Sequence, residues 1–543
     1  MQTAYTVLIM LMLVGVSRLI GRVIPLPLPL VQIAAGALLA WPTLGLHVAL
    51  DPELFLFLFL PPLLFSDGWR MPKREFWRLR GPILTLAVGL VLFTVVGAGY
   101  FINWLIPGIP LPVAFALAAV LSPTDAVAVS AISQNRLPTP LMHMLQGEAL
   151  MNDASGLVTF KFALAAAVTG MFSLANASLT FVLVAVGGLA VGVALSWLVG
   201  RLRAWMIARG WDDPATHVVF MLLLPFAAYV LAERVGASGI LSAVAAGMMQ
   251  SWLDLLPRQT NTRLLNRSVW SLLEFAFNGL IFLLLGLQLP DIIKAVASHE
   301  TSLWPTLLYR CLDVLAIFCV LLVLRFTWVQ STWRLSGLLR RLRGQGAMTQ
   351  LPDARSCWLL TIGGVRGAVT LAGVLSVPMM MGGDEFPERD LMIFIAAGVI
   401  LLSLIAACIT LPLLLRGIDK SPDDKRRNEV REAWRKTAEA AIHALEAEET
   451  TPQDAAQSAL AAELKARLMS EYRHQLEVFN DSAEAQALAF EMDLLERRLR
   501  LKALRAQRLE LYKLSRHHQI GDDVLREVLG ELDLSEANLG QVK

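Results

Sequence analysis

The sequence predicts an all-α polytopic membrane protein with a soluble helical tail, and three observations carry that prediction. Of the 543 residues, 56% are hydrophobic and only 17% are charged, a composition outside the range of soluble globular domains. Apolar stretches long enough to cross a hydrocarbon core, roughly 20 residues each, recur from Thr3 to Leu415 and then stop. The basic residues between them fall in alternate loops, as Lys and Arg do when they accumulate on the cytoplasmic side. The net charge of +2 carries no partner signal, because this topological bias masks it.

About thirteen spans are predicted, near 3–21, 25–42, 52–68, 82–105, 112–133, 144–168, 176–200, 214–233, 237–253, 268–289, 303–326, 356–379 and 391–415. No basic residue precedes the first apolar run and no small-residue cleavage pattern follows it, so it reads as a retained span rather than a signal peptide. Basic loops such as Arg70–Arg80, Arg201–Arg209 and Arg334–Arg343 alternate with the neutral Pro107–Pro112 and the acidic Gly382–Asp390. Placing the basic set in the cytoplasm puts the N-terminus outside, the C-terminus inside, and makes the number of spans odd. Cys311, Cys319, Cys357 and Cys408 lie in or at the ends of spans without metal-like spacing, and read as reduced structural thiols.

The chain divides into a membrane domain, 1–415, and a charged helical tail, 416–543. In the tail Leu488, Met492, Leu495, Leu499 and Ala503 recur at spacings of three and four. That stripe fits surface helices docked on the membrane domain or on each other, or a regulatory or dimerising coiled segment whose heptads are not sustained. Lys420–Arg427 reads as a charged linker. Nothing in the tail resembles a nucleotide or metal site, and neither a cofactor nor a nucleic-acid partner is expected.

The fifth and sixth spans carry the chemistry. Charge at membrane depth is expensive and by default functional, and Asp125, Glu148 and Asp153 all fall there. Pro123 removes a backbone donor and disfavours helix at Ser122, so the fifth span should break around Ser122-Pro-Thr-Asp125. Such a break is tolerated only where it lines a cavity or is buried in protein, and freed carbonyls and half-helix ends can then coordinate ions. Asp125 is placed to cap the following half-helix, with Thr124 supplying an oxygen. In the sixth span Glu148 and Asn152 are four apart and share a face, while Asp153 is turned away by about 100°. One buried carboxylate needs a cation. Arg366, among glycines that permit close helix approach, is the candidate partner of Glu148. Asp153 is left unpaired, with Gly156 making room, and an unpaired carboxylate can hold either a proton or a monovalent cation, not both.

These residues also carry a resemblance. Thr124-Asp125 in a Pro-marked span, Gly147-Glu148…Asn152-Asp153 in the next, Gly364-Val-Arg-Gly367, and Ser238-Gly-Ile-Leu…Ala246-Gly-Met resemble the monovalent cation/proton antiporters of the NhaP/NHE type. The resemblance covers most of 1–415. It implies a lipid-embedded homodimer of thirteen-helix protomers in the bacterial inner membrane, each with inverted repeats and broken helices, exchanging Na⁺, with K⁺ or Li⁺ as alternatives, for H⁺. It also implies Asp153 as the shared cation and proton site, and electroneutral one-for-one exchange because Asn152 stands where a second aspartate would otherwise be. The candidate cation-binding set is Asp153, Thr124, Asp125 and Ser122. Glu148, Asn152 and Arg366 form the expected structural charge network. One departure is Ala149, where many members have Ser. Ser122, Ser155, Thr159 or water could replace that hydroxyl.

Other polar residues admit blander readings. Lys161 either snorkels to the outer interface or titrates as a second group. Arg310 and Asp313 read as a local ion pair. Glu274 and Asn278 fit a core network or a pathway lining, and Asp67 an interfacial cap. His217 and His143 read as solvated. A cation channel would show a selectivity segment repeated between subunits, and a sensor signalling through the tail leaves buried Asp125 and Asp153 unexplained. No phosphate loop, metal cluster or nucleophile constellation suggests an enzyme.

Overall fold

The computed structural model describes residues 2–23, 26–40, 52–134, 136–169, 174–211, 213–253, 260–298, 303–342, 354–378, 380–381, 384–386, 388–416, 424–447, 455–478, 483–517 and 519–540. The chain forms two compact units, Met1–Ile418 and Asp419–Lys543.

The first unit begins with α1 (Gln2–Val23), α2 (Leu28–Leu39), α3 (Pro52–Arg70) and the short α4 (Lys73–Arg78). α5 (Arg80–Leu84), a π-helical turn at Thr85–Leu90 and α6 (Val91–Leu105) run on as one span. α7 (Leu111–Val120) and α8 (Ala126–Ser133) are the halves of a broken helix, followed by α9 (Thr139–Thr169), α10 (Leu174–Ala208), α11 (Pro214–Arg234), α12 (Gly239–Leu253), α13 (Thr260–Ser298) and α14 (Leu303–Leu342). α15 (Ala354–Ile362) and α16 (Ala368–Leu375) are a second broken pair. A two-residue antiparallel ladder, β1 (Met380–Met381) with β2 (Asp384–Glu385), leads to α17 (Arg389–Leu414).

With each segmented helix counted once and α4 left aside, the described residues make thirteen traverses, as the sequence predicts. Among the described residues six helices are by themselves long and apolar enough to cross a membrane, including Val182–Ala208, Leu307–Leu335 and Arg389–Leu414. Local chemistry explains the helix starts. Pro110 precedes α7, and Asp213 caps α11 by accepting the Thr216 N–H at 2.8 Å ahead of Pro214 at the first helical position, where a missing donor costs nothing.

Helices in lipid gain little from apolar burial and associate through close packing at small residues. α2 and α13 meet through reciprocal glycines: a Cβ at Gly36 would enter the Leu283 carbonyl, and one at Gly286 the Ile33 carbonyl. The π-helical turn serves packing as well. Thr85 and Ala87 present their carbonyls to the Trp328 indole N–H at 3.1 Å and the Ser155 hydroxyl at 2.6 Å, consistent with π-turns marking functional positions.

Two expectations are corrected here. His217 is 1% exposed rather than solvated, and its Nδ1 accepts from Arg203 Nε at 3.3 Å. The helix ends extend past the expected spans, so that α14 continues to Leu342 where the span was expected to end at 326. Arg310 and Asp313 pair as expected, at 3.4 Å.

The second unit contains α18 (Asp424–Ala447), α19 (Ala455–Val478), α20 (Ala483–Arg516) and α21 (Asp522–Gly540). The predicted linker Lys420–Arg427 lies partly outside the described residues and is helical from Asp424. The predicted stripe is not the packed face: Met492, Leu495 and Leu499 are exposed, whereas Leu504 and Leu511, seven apart, are buried. Leu488 has no described side chain. Arg508 holds α20 to α21 by pairing with Asp533 and Glu536.

Candidate functional site

The two breaks meet. The first spans Leu121–Asp125 and the second Gly363–Gly367, and the Asp125 N–H donates to the Val365 carbonyl at 2.7 Å. Backbone groups freed from two helices therefore satisfy one another, which is what a non-helical segment at membrane depth requires. Asp125 caps α8 as expected, accepting the Ala128 N–H at 2.9 Å, and its side chain lies against Gly367, just before α16.

Gly367 permits this. A Cβ there would overlap the Asp125 side chain. Gly367→Ala should displace Asp125 and lower stability by about 1–3 kcal/mol, read as a lower melting temperature of the purified protein with exchange reduced in parallel. An unchanged melting temperature would mean that the crossing tolerates a methyl group.

Asn152 bridges the first break, donating to Thr124 Oγ1 at 2.8 Å and accepting from the Thr124 N–H at 3.5 Å. The neighbouring Asp153 is 6% exposed. Among the described residues its Oδ1 meets no hydrogen-bond donor, and no salt bridge reaches it. It lies on the wall of a cavity of about 730 Å³ together with Thr124, Asp125, Ala149 and Asp67. Arg18, Arg70 and Gln134 also line the cavity, at the end of the unit where the basic loops lie.

The expected network of Glu148, Asn152 and Arg366 does not form as one unit. Glu148 is held by Arg325 of α14, which uses both terminal guanidinium nitrogens, Nη2 to Oε2 at 2.8 Å, and donates Nε to the Leu360 carbonyl at 2.9 Å. These side chains are 3% and 1% exposed. Gly364 makes room, since a Cβ there would strike the Arg325 guanidinium. Arg366 turns back on its own break, its Nη1 donating to the Gly364 carbonyl and its backbone N–H to Ser403 Oγ at 3.0 Å. The sequence reading did not single out Arg325, although an arginine inside the apolar run Val323-Leu-Arg-Phe-Thr-Trp328 was the available signal.

Ser122 is not on the cavity wall. Its hydroxyl donates to the Ala119 carbonyl at 2.8 Å. Ser155 and Thr159, the other candidates to replace the hydroxyl lacking at Ala149, donate to the Ala87 and Ser155 carbonyls at 2.6 and 2.7 Å. Lys161 is exposed and pairs with Glu233 at 3.0 Å. Asp67 is no interfacial cap but a wall residue, joined there by Glu274 and Asn278. Glu274 is tied to Ser66 and Arg70.

Comparison with known proteins gives a consistent picture. The family model described as "Sodium/hydrogen exchanger, transmembrane" matches residues 7–417. The "Uncharacterized Na(+)/H(+) exchanger YjcE" of Escherichia coli (strain K12) is 45% identical, covering 99% of each chain. The "Sodium, potassium, lithium and rubidium/H(+) antiporter" of Bacillus pumilus (strain SAFR-032) is 41% identical over 100% of this chain and 79% of its own. Among solved structures, the sodium proton antiporter MjNhaP1 from Methanocaldococcus jannaschii superposes with a TM-score of 0.58 at 17% identity, over 77% of this chain and 99% of that one. That likeness concerns the fold.

Proposed function

The chain belongs to the sodium/hydrogen exchanger family, and from that premise we propose that it is a secondary antiporter exchanging Na⁺ for H⁺ by competition at Asp153. The observation that carries the assignment is the unpartnered Oδ1 of a buried carboxylate on a cavity wall. Such a group gains a partner only by binding a cation or a proton, and each excludes the other. Thr124 and Asp125, which line the same cavity, complete the cation's surroundings. Asn152 is neutral and engaged with Thr124, so one titrating carboxylate moves one charge in each direction, in keeping with electroneutral exchange.

The cavity wall carrying Arg18 and Arg70 belongs to the basic end, which the loop charges place in the cytoplasm. The state described is then inward-open, and alternating access exposes Asp153 to the other side in turn. The homodimer, the inner-membrane location with the N-terminus outside, and a regulatory cytoplasmic tail belong to the same reading. The name of the Bacillus pumilus relative supports K⁺ and Li⁺ as further substrates.

The test is proton flux in proteoliposomes carrying a pH dye. Added Na⁺ should dissipate an imposed proton gradient, and Li⁺ and K⁺ then give the selectivity; no response from mildly acidic to alkaline pH would overturn the reading. Ala149 lies one helical turn before Asp153 on the same wall. Ala149→Ser should therefore lower the half-saturating Na⁺ concentration, by about threefold to tenfold for one added oxygen ligand. An unchanged value would remove position 149 from the site.

A further inference from the structure

We propose that Thr370, in the first turn of the second broken helix, supplies a hydroxyl ligand to the cation bound at Asp153, in place of the hydroxyl that Ala149 lacks. The proposal rests on the assignment of Asp153 above and names a further member of that site. Three observations lead to it.

Thr370 is 1% exposed, yet among the described residues its Oγ1 has no hydrogen-bond partner. Thr370 is the third residue of α16, so the carbonyl four residues earlier is that of Arg366, in the break, and it does not take the hydroxyl, whereas a threonine deeper in a helix can turn back on its own helix. Thr159, Thr332, Thr361 and Thr410 do so here, at 2.6 to 2.8 Å. A buried hydroxyl without a partner costs free energy comparable to a lost hydrogen bond, so a ligand that engages it recovers that cost.

Thr370 also lies on the wall of the cavity that Asp153 lines. The packing of α9 and α16 explains why. Both helices run away from the basic end, and they touch where Gly373 lies against Leu157. Residues three and four apart share a helix face, so Thr370 is one turn before Gly373 and Asp153 one turn before Leu157. The two side chains therefore stand at the same level on facing walls, one bringing a carboxylate oxygen and the other a hydroxyl oxygen.

Third, the nearby alternatives are committed elsewhere. Ser122, Ser155 and Thr159 donate to backbone carbonyls, and position 149 has no oxygen. Na⁺ and Li⁺ are small hard cations, for which hydroxyl and carboxylate oxygens are suited ligands. Thr124 and Asp153 reach the ion from the first broken helix and from α9; Thr370 reaches it from the second broken helix, so a bound cation would tie the two breaks together.

The experiment is a Na⁺ titration of proton flux in proteoliposomes at fixed pH, with the full chain, for wild type, Thr370→Val, Thr370→Ser and Asp153→Asn. Thr370→Val keeps the shape and removes only the hydroxyl. It should raise the half-saturating Na⁺ concentration about tenfold with maximal flux retained, while Thr370→Ser stays near wild type. Ala149→Ser in the Thr370→Val background should recover part of the loss. If Thr370→Val and wild type share the same half-saturation for Na⁺, Li⁺ and K⁺ while Asp153→Asn is inactive, the Thr370 assignment alone is overturned. If Asp153→Asn still exchanges, the site itself is misplaced and both readings fall. Should Thr370→Val not fold, Thr370→Ala against Thr370→Ser decides in the same way: a raised value for Ala alone supports the ligand, and equal values overturn it.

Discussion

Asp153→Asn is expected to reduce cation-driven proton flux to the level of empty liposomes while leaving the protein folded. The amide is nearly isosteric with the carboxylate, and Oδ1 has no hydrogen-bond partner to lose. Removing an uncompensated carboxylate from a site that is 6% exposed should leave stability unchanged or raise it, because a buried charge without a partner is costly. Flux and thermal melting of the same preparation separate the two effects. Substantial surviving exchange at wild-type stability would take Asp153 out of the central role. The wild type offers a companion test. If Na⁺ and H⁺ compete for one carboxylate, lowering the pH should raise the half-saturating Na⁺ concentration and leave the maximal rate unchanged; a fall in maximal rate alone would speak against competition.

The second large effect is structural. Arg325→Ala should lower folded yield and stability severely, by about 3–5 kcal/mol, because it leaves the Glu148 carboxylate buried and unpaired. Glu148 is 1% exposed and accepts from both terminal nitrogens of Arg325, so bulk solvent does not reach the carboxylate. Replacing both partners by apolar residues of similar volume, Arg325→Met with Glu148→Leu, should restore much of the loss, since a buried ion pair contributes little beyond a well-packed apolar contact. Arg366→Ala should cost less, about 1–2 kcal/mol, as the donor to the Gly364 carbonyl is lost but no carboxylate is stranded. Melting temperatures of the three variants rank these effects. If Arg366→Ala is as damaging as Arg325→Ala, the assignment of Glu148 to Arg325 is wrong.

The contrast between these two arginines shows how far the sequence reaches into the site. Pro123 announced the break in the fifth span, and the capping of α8 by Asp125 followed from a carboxylate placed at a new helix start. Asp153 stood out because it had no evident partner. The other half of the site was hidden for a physical reason: Arg325 lies 177 positions from Glu148, and helix periodicity relates residues within one helix, not across that separation. Thr370 was hidden for a similar reason. The sequence places a threonine at the start of a half-helix, and only the three-dimensional hydrogen bonding reveals that its hydroxyl has no partner.

What the sequence determined by itself is the class, the order of the thirteen traverses, the first helix break and the placing of an unpaired carboxylate, Asp153, beside it. The bilayer makes these legible, since it taxes every polar group along a single axis and so writes topology into composition and loop charge. What only the tertiary structure decided is which helices touch and which charges therefore meet: Glu148 with Arg325, Asn152 with Thr124, and Asp67 with the cavity rather than the interface. In lipid, apolar surface gives no preference among partners, so contacts are chosen by where glycines let backbones approach, as Gly364 admits Arg325 and Gly367 admits Asp125. That choice depends on the shapes of two surfaces at once, and no single stretch of chain contains it.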